Sequence, residues 1–240
     1  MLGPLLRFGE AWNAYEVRED HHIPRDRPAL IVYYHGFIPI DAFYFGAWYY
    51  QRHGVLIRAL ADRLIFEIPG LAQLATAMGA FSGTREATLA LLQQGHLVGV
   101  SPGGVREAIA GTANSYQLVW GDRMGFAAVA LEAGVPIIPA FCENIDEAYR
   151  SPGVRRPSIQ RFYERTRVPV VPFLGAGILP FPVKLRSWFG PPIVAAPGET
   201  PASLRERTRA AILALIAAHQ SPPPRLPRAI LQRLRQGMLQ

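Results

Sequence analysis

A histidine and an aspartate stand six positions apart, directly after a continuous apolar run. His35 and Asp41 follow the segment at 29–32, and the residues between them include a glycine and a proline that shape a turn. Histidine is suited to act as a general base because its pKa lies near neutrality. A carboxylate on the other ring nitrogen fixes the tautomer and stabilises the imidazolium as it forms. The pattern therefore predicts a catalytic base and the group that orients it, both at the exit of a buried strand.

The same two residues also allow a purely structural interpretation. His35 could end the strand with its ring bonded to the backbone. Asp41 could be the N-cap of the helix that follows, a role that aspartate fills well. The spacing alone leaves both interpretations open.

A second strand runs into a glycine turn at residues 97–107, with the sequence Leu-Val-Gly-Val-Ser-Pro-Gly-Gly-Val-Arg-Glu. Arg106 follows the turn formed around Gly103 and Gly104. Its guanidinium can bind a phosphate through two parallel hydrogen bonds. The alternative is a surface salt bridge between Arg106 and Glu107.

The turn also contains the pattern Gly-x-Ser-x-Gly at residues 99–103, which is typical of the nucleophile in serine hydrolases. The residue after the serine must then donate its backbone N–H to the oxyanion, and Pro102 has none. The order is also unfavourable, because His219 is the only histidine downstream of Ser101. An esterase that uses Ser101 is therefore a lesser alternative.

The remaining elements alternate between strands and helices, which predicts an α/β fold with a mostly parallel central sheet flanked by helices. A single domain is expected over residues 1–220, followed at 221–240 by a proline linker and a basic amphipathic helix. That helix could lie on a membrane surface or pack on the domain. The predicted strands are 29–34, 96–100, 135–141 and 193–195, and the predicted helices are 5–17, 41–52, 69–78, 83–94, 122–133, 201–219 and 226–239.

Composition narrows the class of protein. Of the 240 residues, 50% are hydrophobic, and the sequence has no uncharged apolar run of about 18 residues, so we expect no spanning helix. No secretory signal is expected either, and the single cysteine, Cys142, excludes an internal disulfide and fits a reducing compartment. The adjacent His21 and His22 are the only paired histidines, so we predict no metal site.

The net charge of +7 comes mostly from arginine, concentrated at residues 150–167 and in the last twenty residues. A basic protein is attracted to anionic lipid, phosphate-bearing substrates or nucleic acid. The sequence contains no nucleic-acid-binding motif, so we expect no nucleic-acid partner. Location in the cytoplasm, peripherally on a membrane surface, is the expectation.

Four segments in order resemble the boxes of the glycerolipid and lysophospholipid acyltransferase superfamily. His35 and Asp41 match its His/Asp motif with one extra residue, and 101–107 stands where the common pattern is Phe-Pro-Glu-Gly-Thr-Arg. The segment at 79–86 occupies the position of the second box, and 135–141 that of the fourth. The Tyr-Tyr-His-Gly-x-x-Pro-x-Asp version is similar to the diacylglycerol-acyltransferase-like branch, which includes the mammalian transmembrane-protein acyltransferases.

The resemblance implies roles for several residues. His35 would be the base and Asp41 its orienter, while Glu107 would be the acid of a Gly-Gly-x-x-Glu version of the third box. Gly103 stands where the common pattern has glutamate, which favours a neutral glycerolipid over a phosphorylated acceptor. Gly103, Gly104, Arg106 and Glu107 would bind substrate, and Arg106 could hold a phosphate of coenzyme A. Gly83 and Arg85 would add an anion site at a helix start, although an ordinary capped helix with a solvated Arg–Glu pair is the alternative.

The resemblance implies an O-acyltransferase that moves a fatty acyl group to a glycerolipid hydroxyl. The donor would be acyl-CoA or an acyl-carrier protein, and no metal or organic cofactor would be needed. A non-catalytic lipid-binding module with the same fold is the alternative from another class. The sequence does not indicate an oligomeric state.

Overall fold

The segment at 29–33 is apolar at nearly every position, as expected for a parallel strand that helices cover on both faces. In the computed structural model, which describes residues 2–67, 69–151, 172–221 and 223–237, this segment is the centre of a seven-stranded sheet. Numbered along the chain, the strands are β1 (Glu16–Arg18), β2 (Ala29–Tyr33), β3 (Arg58–Ala61), β4 (Ala80–Ser82), β5 (Leu97–Val100), β6 (Ile137–Glu143) and β7 (Arg186–Phe189).

The strands lie in the order β1-β7-β6-β2-β5-β3-β4, and every neighbouring pair is parallel except β6 with β7. The predicted mostly parallel α/β fold is confirmed. The helices are α1 (Leu2–Asn13), α2 (Ile40–His53), α3 (Arg63–Glu67), α4 (Leu71–Ala77), α5 (Arg85–Gln93), α6 (Val105–Ala110), α7 (Gly125–Ala133), α8 (Ile145–Ala148), α9 (Pro201–His219) and α10 (Leu226–Gly237).

Several predicted boundaries differ from the structure. The first helix ends at Asn13 rather than at Val17, because Val17 pairs with Ser187 in the edge strand β1. The predicted strand at 193–195 is reduced to one antiparallel bridge, between Ile193 and Ile137. Strands β3, β4 and β7 were not predicted from the sequence, because they are short and carry little apolar pattern.

Helix α10 packs on the domain. Ala229 is buried, Leu226 and Ile230 contact the core, and Arg233 donates to the carbonyl of Trp12 at 3.3 Å. Its other face leaves leucines in solvent, with Leu231 53% exposed and Leu234 55% exposed. Within the described residues, no helix has the length and apolar character to span a membrane. Most of the arginine-rich segment at 150–167 lies outside the described residues, and the boundary at 220 stays a prediction.

The parallel order of β5, β2 and β6 brings their carboxyl ends to one edge of the sheet. The loop after β2 carries His35, the loop after β5 leads to Glu107 on α6, and the loop after β6 leads to Asp146 on α8. Open α/β sheets bind ligands at this kind of edge. The fold therefore delivers three chemically useful side chains to one place.

Candidate active site

His35 is held by its own local backbone. Its Nδ1 lies 2.6 Å from the carbonyl oxygen of Gly36. Because a carbonyl oxygen only accepts, Nδ1 is the donor in this bond, and Nε2 keeps a free lone pair. Burial lowers the pKa of the imidazole below its usual value, so the ring is neutral near pH 7. A neutral ring with a free Nε2 is the form that a general base requires.

Glu107 ties the two central loops together. One carboxylate oxygen accepts from the backbone N–H of His35 at 3.0 Å, and the other accepts from the N–H of Val119 at 3.0 Å. The side chain is only 4% exposed, and burial raises its pKa to about 7. Glu107 therefore positions the backbone of the proposed base. It points into the protein and does not pair with its neighbour Arg106.

Gly103 provides the space that Glu107 needs. A methyl group added at Gly103 would lie 1.9 Å from Cδ of Glu107, far inside contact distance. Gly104, the next residue, has a φ of 50° and precedes α6, a conformation that glycine adopts without strain. The two glycines let the turn fold back so that the carboxylate at 107 lies against position 103.

Asp41 lies in the first turn of α2 and is 6% exposed. Burial raises its pKa to about 7, partly offset by hydrogen bonds from the backbone at Asp41 and Ala42. Its Oδ1 is buried and has no hydrogen-bond partner among the described residues. The structure shows no bond between this carboxylate and the ring of His35, both of which it describes. The orienting role of Asp41 stays a prediction.

Two arginines flank the glycine turn. Arg106 is exposed, with Nη1 3.1 Å from the position that a Cβ on Gly121 would take. Arg123 donates from Nη1 to the carbonyl of Pro102 at 2.7 Å and to that of Gly103 at 3.2 Å. Arg123 was not predicted as a site residue, because nothing in the sequence around it indicates that its side chain contacts a turn about twenty residues earlier.

The second predicted anion site is separate from His35. Gly83 and Arg85 lie at the start of α5, after the edge strand β4, with β3 and β5 between them and β2. Thr84 caps the helix, since its Oγ1 accepts from the N–H of Ala87 at 3.2 Å. Arg85 forms an exposed ion pair with Glu132. These contacts fit a capped helix start, and phosphate binding here stays a prediction.

The contacts of Ser101 do not form a hydrolase triad. Its Oγ lies 3.5 Å from a carboxylate oxygen of Glu107 and accepts from the N–H of Gly104 at 3.3 Å. The described downstream histidine, His219, stacks on Trp188 with ring centroids 3.6 Å apart. Nothing in these contacts activates the hydroxyl as a nucleophile.

One described group has ligand atoms close enough for a metal, within 4.8 Å of one another: Glu19, His21 and His22. Glu19 and His21 are exposed. Nδ1 of His22 already bonds to the carbonyl of Phe189 at 2.7 Å. This group lies before β2 and takes no part in the arrangement around His35.

Curated relatives match most of the chain. A bovine protein named "DGAT1/2-independent enzyme synthesizing storage lipids" is 45% identical over 224 residues, which are 93% of this chain and 65% of the relative. The human protein of that name is 45% identical over 92% of this chain and 67% of its own length. An uncharacterized protein of Mycobacterium tuberculosis is 30% identical over 82% of this chain and 57% of its own length. The chain spans about two thirds of the length of the bovine and human relatives.

A solved structure shares the fold. The crystal structure of the 1-acyl-sn-glycerophosphate acyltransferase PlsC from Thermotoga maritima superposes with a TM-score of 0.62, covering 92% of this chain and 80% of that one. The sequence identity is 16%, so this likeness concerns the fold. The sequence profile of the acyltransferase family matches residues 14–143, which include His35, Asp41 and Glu107. More than half of the chain is matched, and the sequence-based family resemblance is confirmed: the chain belongs to the acyltransferase family.

Proposed function

We propose that the protein transfers a fatty acyl group from a thioester, acyl-CoA or an acyl-carrier protein, to a hydroxyl of a glycerolipid. The observation that carries this is the state of His35. Its Nδ1 is occupied by the Gly36 carbonyl, so Nε2 is the only ring nitrogen available as a base. The names of the bovine and human relatives, which include the words "synthesizing storage lipids", support a lipid acceptor.

In the proposed reaction, Nε2 of His35 takes the proton of the acceptor hydroxyl as its oxygen attacks the thioester carbonyl. The tetrahedral intermediate expels the thiolate, and the imidazolium returns the proton to sulfur. No covalent acyl-enzyme is needed, which is consistent with the contacts of Ser101. This chemistry requires no metal or organic cofactor beyond the thioester itself.

We assign Arg106 to the donor. Its guanidinium is exposed beside the glycine turn, and it forms no ion pair with another described residue. Coenzyme A and the phosphopantetheine of carrier proteins both carry phosphates, which arginine binds well. We assign to Asp41 the stabilisation of the imidazolium. Its Oδ1 is buried without a hydrogen-bond partner among the described residues, so the carboxylate would act on the imidazolium through its charge.

Peripheral attachment to a membrane from the cytoplasm is part of the proposal. Exposed Leu231 and Leu234 share helix α10 with Arg228 and Arg235. Such a helix can insert leucines among acyl chains while its arginines contact anionic head groups. A lipid substrate would then reach the protein without passing through water.

The test is a thioester-consumption assay with palmitoyl-CoA and a panel of monoacylglycerols, diacylglycerols and lysophospholipids. His35→Ala is compared with wild type, and His96→Ala, a histidine outside the site, is the matched control. We expect acceptor-dependent release of free thiol in wild type and His96→Ala, and none in His35→Ala. Asp41→Asn should slow the reaction without abolishing it.

Two outcomes would overturn the proposal. An active His35→Ala protein with an unchanged unfolding temperature would exclude the base mechanism. A folded wild-type protein that binds lipid vesicles but releases no thiol with any acceptor would favour the non-catalytic lipid-binding module. The observation that favours the lipid-binding module is that the structure has no hydrogen bond between His35 and Asp41, both of which it describes.

A further inference from the structure

A cleft opens beside His35, on the side of the loop that follows β6. Its lining includes Tyr34, Phe37, Glu107, Ser115 and Asp146. Its volume is about 230 Å³ when the open mouth is included, and the enclosed part is about the size of a water molecule. The cleft shares Glu107 with the proposed catalytic site, because Glu107 also accepts from the backbone N–H of His35.

Hydrogen-bond donors fix Asp146 in the lining of the cleft. Its Oδ2 accepts from the hydroxyl of Tyr34 at 2.7 Å and from the N–H of Tyr116 at 3.2 Å, and the hydroxyl of Ser115 also bonds to the carboxylate. A carboxylate has about four acceptor sites. Three donors therefore leave it with room for one more hydrogen bond.

Gly36 allows Asp146 to lie close to the backbone that follows His35. A methyl group at Gly36 would lie 2.6 Å from Cγ1 of Ile145 and 3.4 Å from Oδ1 of Asp146. The absence of a side chain thus lets the start of α8 approach the backbone beside the base. Oδ1 is the carboxylate oxygen that faces this backbone.

Among the described residues, the charged groups that line the cleft are acidic. Its described lining includes two carboxylates, Glu107 and Asp146, and no lysine or arginine. Burial raises the pKa of Asp146 only to about 6, so this carboxylate is ionised at neutral pH. An anionic phosphate is repelled from such a site, while a neutral hydroxyl gains a charge-assisted hydrogen bond.

Aromatic side chains also contribute to the lining of the cleft. Phe37 and Tyr149 line it, and both pack against Phe173, with ring centroids 5.5 Å and 5.6 Å away. Beyond Phe173, the turn continues into Leu174 and Ile178, which are 67% and 86% exposed. A polar end that continues into an apolar surface fits a molecule with one hydroxyl head and hydrocarbon tails.

We propose that this cleft binds the uncharged, hydroxyl-bearing head of the acceptor lipid, with Asp146 accepting a hydrogen bond from a hydroxyl. The acyl chains run along Phe37 and Tyr149 towards the turn at 173–179. Asp146 is then a specificity residue that favours neutral lipid alcohols over phosphate-bearing ones. This inference rests on the proposed transferase function and names the acceptor subsite within it.

Asp146→Asn tests the inference, because the amide keeps the shape and can still accept from Tyr34 but carries no charge. Asp26→Asn, an exposed acid outside the cleft, is the matched control. Rates are measured with dioleoylglycerol and with lysophosphatidate at fixed palmitoyl-CoA, and then with the donor varied. We expect Asp146→Asn to raise the KM for dioleoylglycerol about tenfold or more, since a hydrogen bond to a charged group is lost.

Two further readouts separate binding from structure. The KM for palmitoyl-CoA should stay within about twofold, and the preference for dioleoylglycerol over lysophosphatidate should narrow. If Asp146 had a purely structural role, its substitution would raise the KM for dioleoylglycerol and the KM for lysophosphatidate by the same factor. If Asp146→Asn does not fold, Ser115→Ala is measured instead, and we expect a smaller rise in the KM for dioleoylglycerol. An unchanged KM for dioleoylglycerol, or an equal rise in the KM values for dioleoylglycerol and lysophosphatidate, would overturn the inference.

Equilibrium binding keeps this test independent of turnover. Dioleoylglycerol and lysophosphatidate carrying a fluorescent acyl chain are titrated in neutral detergent micelles with each variant. If wild type transfers no acyl group but binds dioleoylglycerol more tightly than Asp146→Asn does, the transferase proposal fails and the cleft assignment holds. Equal binding of dioleoylglycerol by both proteins would reject the cleft assignment even if wild type is an active enzyme.

Discussion

Glu107 occupies the space that a side chain at Gly103 would need, with its Cδ 1.9 Å from the position of a methyl group there. The common pattern of the acyltransferase superfamily has glutamate where this chain has Gly103. The structure shows a carboxylate in that region all the same, supplied from one helical turn further on.

Gly103→Ala should reduce both stability and acyl transfer, because the methyl group displaces Glu107 from the backbone of His35. Such overpacking costs about 1–3 kcal/mol in the free energy of unfolding. Gly46→Ala is the matched control, since a methyl group there meets nothing within 4 Å. The double variant Gly103→Ala/Glu107→Ala should recover the unfolding temperature but not the activity. Full activity in Gly103→Ala would contradict this arrangement.

Arg123→Ala should slow acyl transfer while lowering the unfolding temperature only slightly. The substitution removes the hydrogen bonds to the carbonyls of Pro102 and Gly103, which shape the turn. Hydrogen bonds from a charged group contribute about 1.5–3 kcal/mol. Steady-state rates are compared with those of Arg63→Ala, whose exposed i,i+4 pair with Glu67 should contribute little. Equal effects of the two variants would show that Arg123 is not needed to hold the turn.

The free energy of unfolding should decrease as the pH rises from about 4 to 7. Burial raises the folded-state pKa of Asp41, Glu107 and Glu147 to about 7 and that of Asp146 to about 6. As the pH rises, these carboxyl groups therefore lose their protons at a lower pH in the unfolded chain than in the folded protein. The unfolded state becomes relatively more favourable until the pH passes the folded-state pKa values. Below this window, the contribution is fully present.

Asp41→Asn checks this pH dependence, because asparagine carries no proton to release. Thermal unfolding of both proteins is followed across the same window. The variant should lose less stability than wild type between the acidic and neutral ends. Parallel curves for the two proteins would show that Asp41 ionises in the folded protein as easily as in the unfolded chain.

Leu231→Ser/Leu234→Ser should weaken binding to vesicles that contain anionic lipid, measured by co-sedimentation. Both side chains are more than half exposed, so the unfolding temperature should hardly change. Val194→Ser is the matched control, because Val194 is an exposed apolar side chain outside α10. Undiminished sedimentation of the double variant would place the membrane contact elsewhere on the protein.

The sequence predicted elements best where a local signal sufficed. The continuous apolar run identified β2, and Pro201 after the capping Thr200 fixed the start of α9. The short strands β3 and β4 escaped because their pairing partners, not their own residues, make them strands. In the second half, β7 was hidden among prolines, and its pairing with β6 depends on a distant part of the chain.

The site shows the same division. His35 and the glycine turn were found from their residue types, since apolar strands that end in a histidine or a glycine turn are visible locally. Their meeting follows from the parallel pairing of β2 with β5. Asp146 was missed because an acid after a strand usually lies in solvent, and only the packing of Gly36 on α8 explains its burial. The return of Arg123 to the turn is likewise a tertiary feature.

The edge strand β1 has a consequence for how the chain is made. Glu16 of β1 forms ion pairs with Lys184 at 3.0 Å and with Arg186, and the latter lies 170 positions further along the chain. During synthesis, β1 leaves the ribosome long before β7, its sheet neighbour among the described residues, has been made. The central strands can assemble in the meantime, so this edge of the sheet closes last. Until then, the backbone N–H and C=O groups of β1 that face β7 have no strand to pair with.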